Sequence, residues 1–297
     1  MSFNTDIKNE LSHIRPSECC KQPLVYGFLL FSRSYSIKKI CMQTENENTA
    51  VFYARLLKEV YSVETALYKG GGVKTTYRVE VPAEADRLKV LASVDFGIYE
   101  GRINRESFVR DCCCASFIRG AFLACGHLCD PDKGYRVDFP VRERALAEEF
   151  KCLLFENGIS ANISTRGKGF VVYIKRNEAI GDLLALMGAS ARSLELIEMA
   201  ILKSVKNNIN RARNCDSANI GKTVEASIAQ RRAIDYLKSH DILESLPPKL
   251  QSVANLRLSA PEASLKELCK LSREDITVSG LNHRLKKIIE IYEEKIK

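Results

Sequence analysis

The chain has 297 residues, 45% apolar and 28% charged, which is the profile of a globular protein with one large domain or two ordinary ones and a sizeable core. The N-terminal MSFNTDIKNELSH lacks the apolar run of a secretory signal, and stretches such as Tyr26–Phe31 and Phe170–Ile174 are far too short to span a bilayer, so no membrane partner is expected and the expected compartment is the cytosol. The net charge of +8 permits an anionic partner without proving one.

In chain order, QPLVYGFLLFSRS around Gly27 reads as a compact apolar helix and SIKKICMQ as a strand. NTAVFYARLLKEVY carries apolar residues at helical spacing. VETALYKGGGVKTTYRVEV reads as two extended runs around a glycine turn, and PAEADRLKVLAS opens with proline and acids as helices do. The Gly70–Gly72 run is a hairpin turn rather than a phosphate cradle, because a strand-like VKTTYRVEV follows it where a cradle would open a helix.

The same order then returns. FIRGAFLACG around Gly120 is an apolar helix, GYRVDFPV a strand, and ERALAEEFKCLLFENG a helix that stops at Asn157–Gly158. ISANISTRGKGFVVYIKR is a hairpin and NEAIGDLLALMG a closing helix. Gly27 and Gly120 stand 93 residues apart, whereas Tyr77 and Tyr173 stand 96 apart, a difference that three extra residues in the Asp130–Gly134 turn would absorb. Duplication of one α/β unit accounts for the pattern, with repeats over about 20–95 and 113–188 inside a first domain of residues 1–188.

Residues 189–297 form the second domain. ARSLELIEMAILKSVKNNINRARN reads as a long helix with Leu194, Ile197, Ala200 or Ile201, and Val205 on its apolar face. Residues 201–240 hold eight Lys/Arg and three acids, so Arg211 and Arg213 are either DNA-backbone contacts or part of a solvated linker. After Pro247–Pro248, Leu250, Val253, Ala254 and Leu256 mark a short helix. A second is capped by Ser264 with Leu265, Leu268 and Leu271 inward, and a third by Ser279 with Leu281, Leu285, Ile288 or Ile289, and Tyr292 inward. As a helix-turn-helix, this arrangement puts Ser279, Asn282, His283 and Arg284 at base edges and Lys286 and Lys287 at phosphates. Equally, it fits a three-helix bundle with a solvated basic face.

Eleven cysteines, an odd count, argue against a disulfide framework. Cys19–Cys20 and Cys112–Cys113–Cys114 are adjacent runs rather than Cys-x-x-Cys pairs and rate as poor zinc candidates. Cys125 and Cys129, four apart, would share a helix face. No metal and no cofactor is expected.

A duplicated unit whose halves each open with a glycine-centred apolar helix resembles the LAGLIDADG homing endonucleases. In that fold the two helices pack at a pseudo-twofold axis, the motif glycines allow close approach, and an acid at each helix end binds Mg²⁺ for phosphodiester cleavage. Laid over this sequence, the motif runs from Val25 to Arg33 and from Ile118 to Gly126, with its acid positions at Ser32 and Cys125, neither a good magnesium ligand. RGAFLACG at 119–126, NNINRARNCDSANIGKT at 207–223 and PEASLKELCKLSREDITVSGLNHRLKKI at 261–288 resemble the WhiA family of bacterial DNA-binding regulators over almost the whole chain.

That resemblance implies an α+β fold: a degenerate LAGLIDADG-like domain of two αββαββα-type halves, then an all-α helix-turn-helix domain. It implies a transcription regulator bound to double-stranded promoter DNA, associated with the nucleoid, with roles around cell division, chromosome segregation or sporulation and without nuclease activity. The alternatives are an active Mg²⁺-dependent endonuclease, if other acids converge on the helix ends, and a scaffold whose N-terminal domain binds another regulator or RNA polymerase.

Overall fold

The computed structural model describes residues 2–71, 74–99, 101–130, 134–272 and 274–296. It divides into two compact units, the first running to Lys203 and the second beginning at Ser204. The first extends past Gly188 because the next helix starts inside its core: Leu196 is fully buried and Ser193 Oγ donates to Gly181 O at 2.8 Å.

The first unit opens with an element that pattern reading did not register, helix α1 (Phe3–His13), capped by Ser2, whose Oγ accepts from Thr5 N. Two repeats follow. The first is α2 (Glu18–Leu30), β1 (Ser34–Tyr35), β2 (Ile40–Thr44), α3 (Glu47–Tyr61), β3 (Ala66–Gly70), β4 (Thr76–Glu80) and α4 (Glu84–Ala92). The second is α5 (Asp111–Cys125), β5 (His127–Leu128), β6 (Val137–Val141), α6 (Arg144–Glu156), β7 (Asn162–Arg166), β8 (Gly169–Ile174) and α7 (Asn177–Met187).

Each repeat builds one antiparallel four-stranded sheet, ordered β1-β2-β4-β3 and β5-β6-β8-β7. The short β1 and β5 are additions to the single strand expected at those places. β1 and β5 keep the offset of 93, but β2 and β6 start 97 apart, so the extra residues enter between β5 and β6. That stretch includes Pro131–Lys133, the middle of the expected Asp130–Gly134 turn, which lies outside the described residues. The β3–β4 hairpin pairs Gly70 with Thr76, while Gly72 of the expected glycine turn also lies outside the description. Helix α6 ends as its sequence indicates: Gly158 takes φ +80, a region open to glycine, and donates its N–H to Phe155 O.

At the centre of this unit α2 lies against α5, and both are apolar on nearly every side because each is buried on nearly every side. Gly27 and Gly120 make the contact. A β-carbon on Gly27 would overlap the Phe117 carbonyl oxygen and stand 2.9 Å from Ala121 N; one on Gly120 would overlap the Leu24 carbonyl oxygen and stand 3.0 Å from Phe28 N. The contacts are reciprocal under the offset of 93, the signature of a pseudo-twofold axis between the helices. Phe28, Phe117, Phe122, Phe139 and Phe150 fill the surrounding core.

Helix α8 (Ser190–Ser239) is longer than the sequence suggested. It continues because Ala233, Ile234 and Leu237 supply a second apolar patch at helical spacing, fully buried in the second unit. Its expected apolar face is corrected by the structure: Leu194, Ile197, Ile201 and Val205 are exposed, and Leu196 is the residue buried in the first unit. Only the first turns of the helix touch that core, so a stripe about three turns long is not needed there.

Helices α9 (Pro248–Ser259), α10 (Leu265–Leu271) and α11 (Val278–Ile296) complete the second unit. Leu250, Val253, Ala254, Leu268, Leu281, Leu285 and Ile288 bury together, with Ile289 and Tyr292 packed at the margin. Leu271, expected inward, is exposed; α10 has too few turns to cover both Leu268 and Leu271. Arg257 is buried at 2% exposure and donates from Nη1 to Ala263 O at 2.6 Å, pinning the α9–α10 turn. Arg257→Ala would leave that carbonyl without its donor and a void behind it. We expect a loss of about 2–3 kcal/mol, read as faster amide exchange at Leu281 and Leu285.

Candidate nucleic-acid interface

In the second unit, Ser264 and Glu267 form the reciprocal cap that opens α10: Ser264 Oγ accepts from Glu267 N, and Ser264 N donates to Glu267 Oε2 at 2.7 Å. Helix α11 is capped by Thr277, whose Oγ1 accepts from Gly280 N at 3.1 Å and whose carbonyl accepts from Leu281 N. Ser279, expected at the cap, therefore falls in the first turn and is exposed there. With Leu281, Leu285 and Ile288 inward, the helical period turns Ser279, His283 and Lys286 to the opposite side, flanked by half-buried Asn282 and exposed Lys287.

Arg284 is placed differently. Its Nη1 donates to Glu274 Oε2 at 2.7 Å, and this contact holds the Glu274 carboxyl below the usual carboxylate range. The guanidinium expected to read a base thus pairs with the turn between α10 and α11. Arg211 and Arg213 stand exposed on α8.

In the first unit, the C-terminal ends of α2 and α5 open into a groove of about 1340 Å³ lined by Ser32, Cys125, Lys8, Glu45, Lys74 and Arg142, among others. Both nuclease acid positions lie here, brought together as the motif alignment requires. Ser32 Oγ donates back to Phe28 O at 2.5 Å. Cys125 is partly accessible, yet enough atoms surround its sulfur that burial pushes the thiol up to about 12. The buried ammonium of Lys8 reaches Leu123 O at 3.4 Å and lies close enough to Cys125 to interact electrostatically. Burial pulls the Lys8 pKa down.

The two motif positions do not fit a divalent cation of the nuclease kind: a committed hydroxyl and a protonated thiol replace two carboxylates, and Lys8 adds positive charge beside Cys125. Sequence reasoning missed Lys8, although Phe3, Ile7, Leu11 and Ile14 mark the helix that carries it. Cys125 and Cys129 do not share a helix face, because α5 stops at Cys125.

Four cations on or beside the two sheets are paired with acids, whereas Lys69 on β3 and Arg166 on β7 have no acid among the ion pairs of the described residues. Arg78 and Lys39 lie 3.3 and 2.9 Å from Glu80, Arg136 lies 2.6 Å from Asp138, and Lys74 lies 3.0 Å from Glu45.

The adjacent cysteine runs are brought together by the fold. The ligand atoms of Cys19, Cys20, Cys112 and Cys113 all lie within 4.8 Å of one another at the other end of the α2–α5 pair. A spacing rule applied within each run cannot see this. The offset of 93 that relates the glycines also relates Cys19 to Cys112 and Cys20 to Cys113, and that signal was present.

Residues 114–206 match the family model of the WhiA LAGLIDADG-like domain, and residues 209–292 that of the WhiA C-terminal HTH domain. The chain is 32% identical to a probable cell division protein WhiA of Caldicellulosiruptor saccharolyticus, over 99% of this chain and 95% of that one. It is 35% identical to its namesake in Clostridium perfringens, over 99% and 98%. Among solved structures, the full-length DUF199/WhiA of Thermotoga maritima shares the fold with a TM-score of 0.59 at 24% identity, covering 99% of both chains. An N-terminal LAGLIDADG domain of DUF199/WhiA shares it with a TM-score of 0.51 at 18% identity, over 63% of this chain and 92% of that one.

Proposed function

The chain belongs to the WhiA family, and on that premise we propose that it is a sequence-specific transcription regulator of cell division that binds double-stranded promoter DNA, associates with the nucleoid, and does not cut. The observation that carries the reading is the outward side of α11, where Ser279, Asn282, His283, Lys286 and Lys287 stand on a helix whose other side is locked into the core. The N-terminal part of such a helix meets base edges, and its lysines meet phosphates.

The roles separate by measurement. Asn282→Ala is expected to weaken binding to the preferred site about tenfold, at about 1–3 kcal/mol for a base pairing, and to leave non-specific binding unchanged. Lys286→Ala and Lys287→Ala are expected to weaken all sequences alike and to lower the salt dependence by about one counterion each. Arg284→Ala should shift stability through the lost Glu274 contact more than sequence preference. Fluorescence anisotropy across a salt series distinguishes these outcomes. An Asn282→Ala protein with unchanged preference would remove α11 from the role of reader.

Ser32, Cys125 and Lys8 support the absence of nuclease activity. Supercoiled DNA incubated with Mg²⁺ or EDTA should be shifted alike and nicked in neither case; Mg²⁺-dependent nicking that co-purifies with the chain would restore the endonuclease reading.

A further inference from the structure

The cysteines gathered at the start of α2 and α5 have no part in DNA binding. Cys19 and Cys20 occupy the first turn of α2, and Cys112 and Cys113 the first turn of α5. The helices are pressed together by Gly27 and Gly120, and the pseudo-twofold axis that relates these glycines also passes through the cysteines. About thirteen residues of helix, at about 1.5 Å each, put this cluster roughly 20 Å from Ser32 and Cys125.

The geometry points to a mononuclear tetrathiolate site, in which Cys19, Cys20, Cys112 and Cys113 bind one zinc ion that staples the two repeats together. The sulfur spacing carries the assignment. In tetrahedral coordination with Zn–S bonds of about 2.3 Å, ligand sulfurs stand about 3.8 Å apart. Here Cys19 Sγ lies 3.9 Å from Cys20 Sγ and 3.8 Å from Cys112 Sγ, and no ligand atom of the four is more than 4.8 Å from another. A disulfide would hold its sulfurs at about 2.05 Å. All four cysteines are free. An iron–sulfur cluster, with several irons between its thiolates, would spread them further than this. Four soft sulfur ligands favour zinc over magnesium or calcium, and four protein ligands close the site to substrate, which makes it structural.

Charge supports the assignment. Binding releases four protons, one from each thiol, and leaves a zinc–tetrathiolate of net charge about −2. Two helix N-termini face that charge, with the positive ends of both helix dipoles. The thiols of Cys20 and Cys113 donate across the helix pair to Cys112 O and Cys19 O, each at 3.3 Å, so the four side chains are already held in mutual register. Cys20 and Cys113 are buried and Cys112 is exposed, which leaves an entry path for the ion from solvent.

The test uses the full chain, purified under reductant, stripped with chelator and titrated with Co²⁺. The expected result is one Co²⁺ per chain, with the intense thiolate-to-metal charge-transfer band and the visible bands of a tetrahedral site, bleached by one equivalent of Zn²⁺. Cys19→Ser/Cys112→Ser should abolish the spectrum, and Cys112→Ser alone should shift it toward an S₃O site. Both positions lie at the surface, so far-UV dichroism should be unchanged. Cys152→Ser/Cys215→Ser, also exposed and outside the cluster, should leave the spectrum intact. No tetrathiolate spectrum at stoichiometric cobalt, or one that survives Cys19→Ser/Cys112→Ser, overturns the assignment.

Discussion

Gly27→Ala and Gly120→Ala are each expected to destabilise the first unit by about 3 kcal/mol, at the upper end of what overpacking a core costs. Helix propensity acts the other way: alanine is favoured over glycine by about 1 kcal/mol in a helix interior. Packing wins because the added carbon would meet main chain, not a flexible side chain. At Gly120 it overlaps the Leu24 carbonyl oxygen, and at Gly27 the Phe117 carbonyl oxygen. Neither can retreat without moving a whole helix, and α2 and α5 lie at the centre of the core.

Once one alanine has forced the helices apart, the second meets space already opened. The double variant should therefore cost clearly less than the sum of the two single ones. Nine of the eleven tyrosines belong to the first unit and tryptophan is absent, so tyrosine fluorescence in a urea titration reports mainly on this unit. Additive losses would mean that the glycines do not share one interface, and unchanged midpoints would mean that the close approach carries no energy.

Arg119→Ala is expected to release α1, with a loss of about 4 kcal/mol from the first unit. The guanidinium, 4% exposed, donates from Nη2 to Leu11 O at 2.6 Å and Ile14 O at 2.5 Å, closing the C-terminal end of α1, and lies 5.4 Å over the Phe52 ring. Hydrogen bonds to a charged donor contribute about 1.5–3 kcal/mol each, and truncation strands one buried and one partly buried carbonyl. Part of that is offset, because the charge is costly to bury: desolvation lowers the Arg119 pKa to about 10.

Helix α1 also carries Lys8 to the groove and Asn4 to Leu128, where Asn4 Oδ1 accepts the backbone N–H at 2.9 Å. Amide exchange at Ile7 and Leu11 should accelerate toward the rate of a fraying terminus in Arg119→Ala, with α3 and α6 less affected. Unchanged protection of α1 would show that Ile7 and Leu11 hold it by burial alone.

The sequence by itself determined whatever depends on residues a few positions apart. The duplication was legible because each half repeats the same alternation of helical and extended patterns. Gly27 and Gly120 were legible because they fall on the motif glycines of the LAGLIDADG resemblance, which implies close packing of two helices. The inward stripe of α11 was legible because Leu281, Leu285 and Ile288 recur at the helical period. Ser32 and Cys125 followed from aligning a motif, and the structure sets both at one groove.

Tertiary structure alone decided what depends on one element meeting another. Arg284 looked free to read a base until the fold set Glu274 against it. Lys8 reaches the end of a helix more than a hundred residues away, and Arg119 reaches back over a similar distance to close α1. The four cysteines looked like two unrelated adjacent pairs until α2 and α5 placed their first turns side by side. Local spacing fixes which face of a helix a residue occupies, because the helical period is the same everywhere. Which groups meet that face is set by packing, and packing compares every segment of the chain with every other.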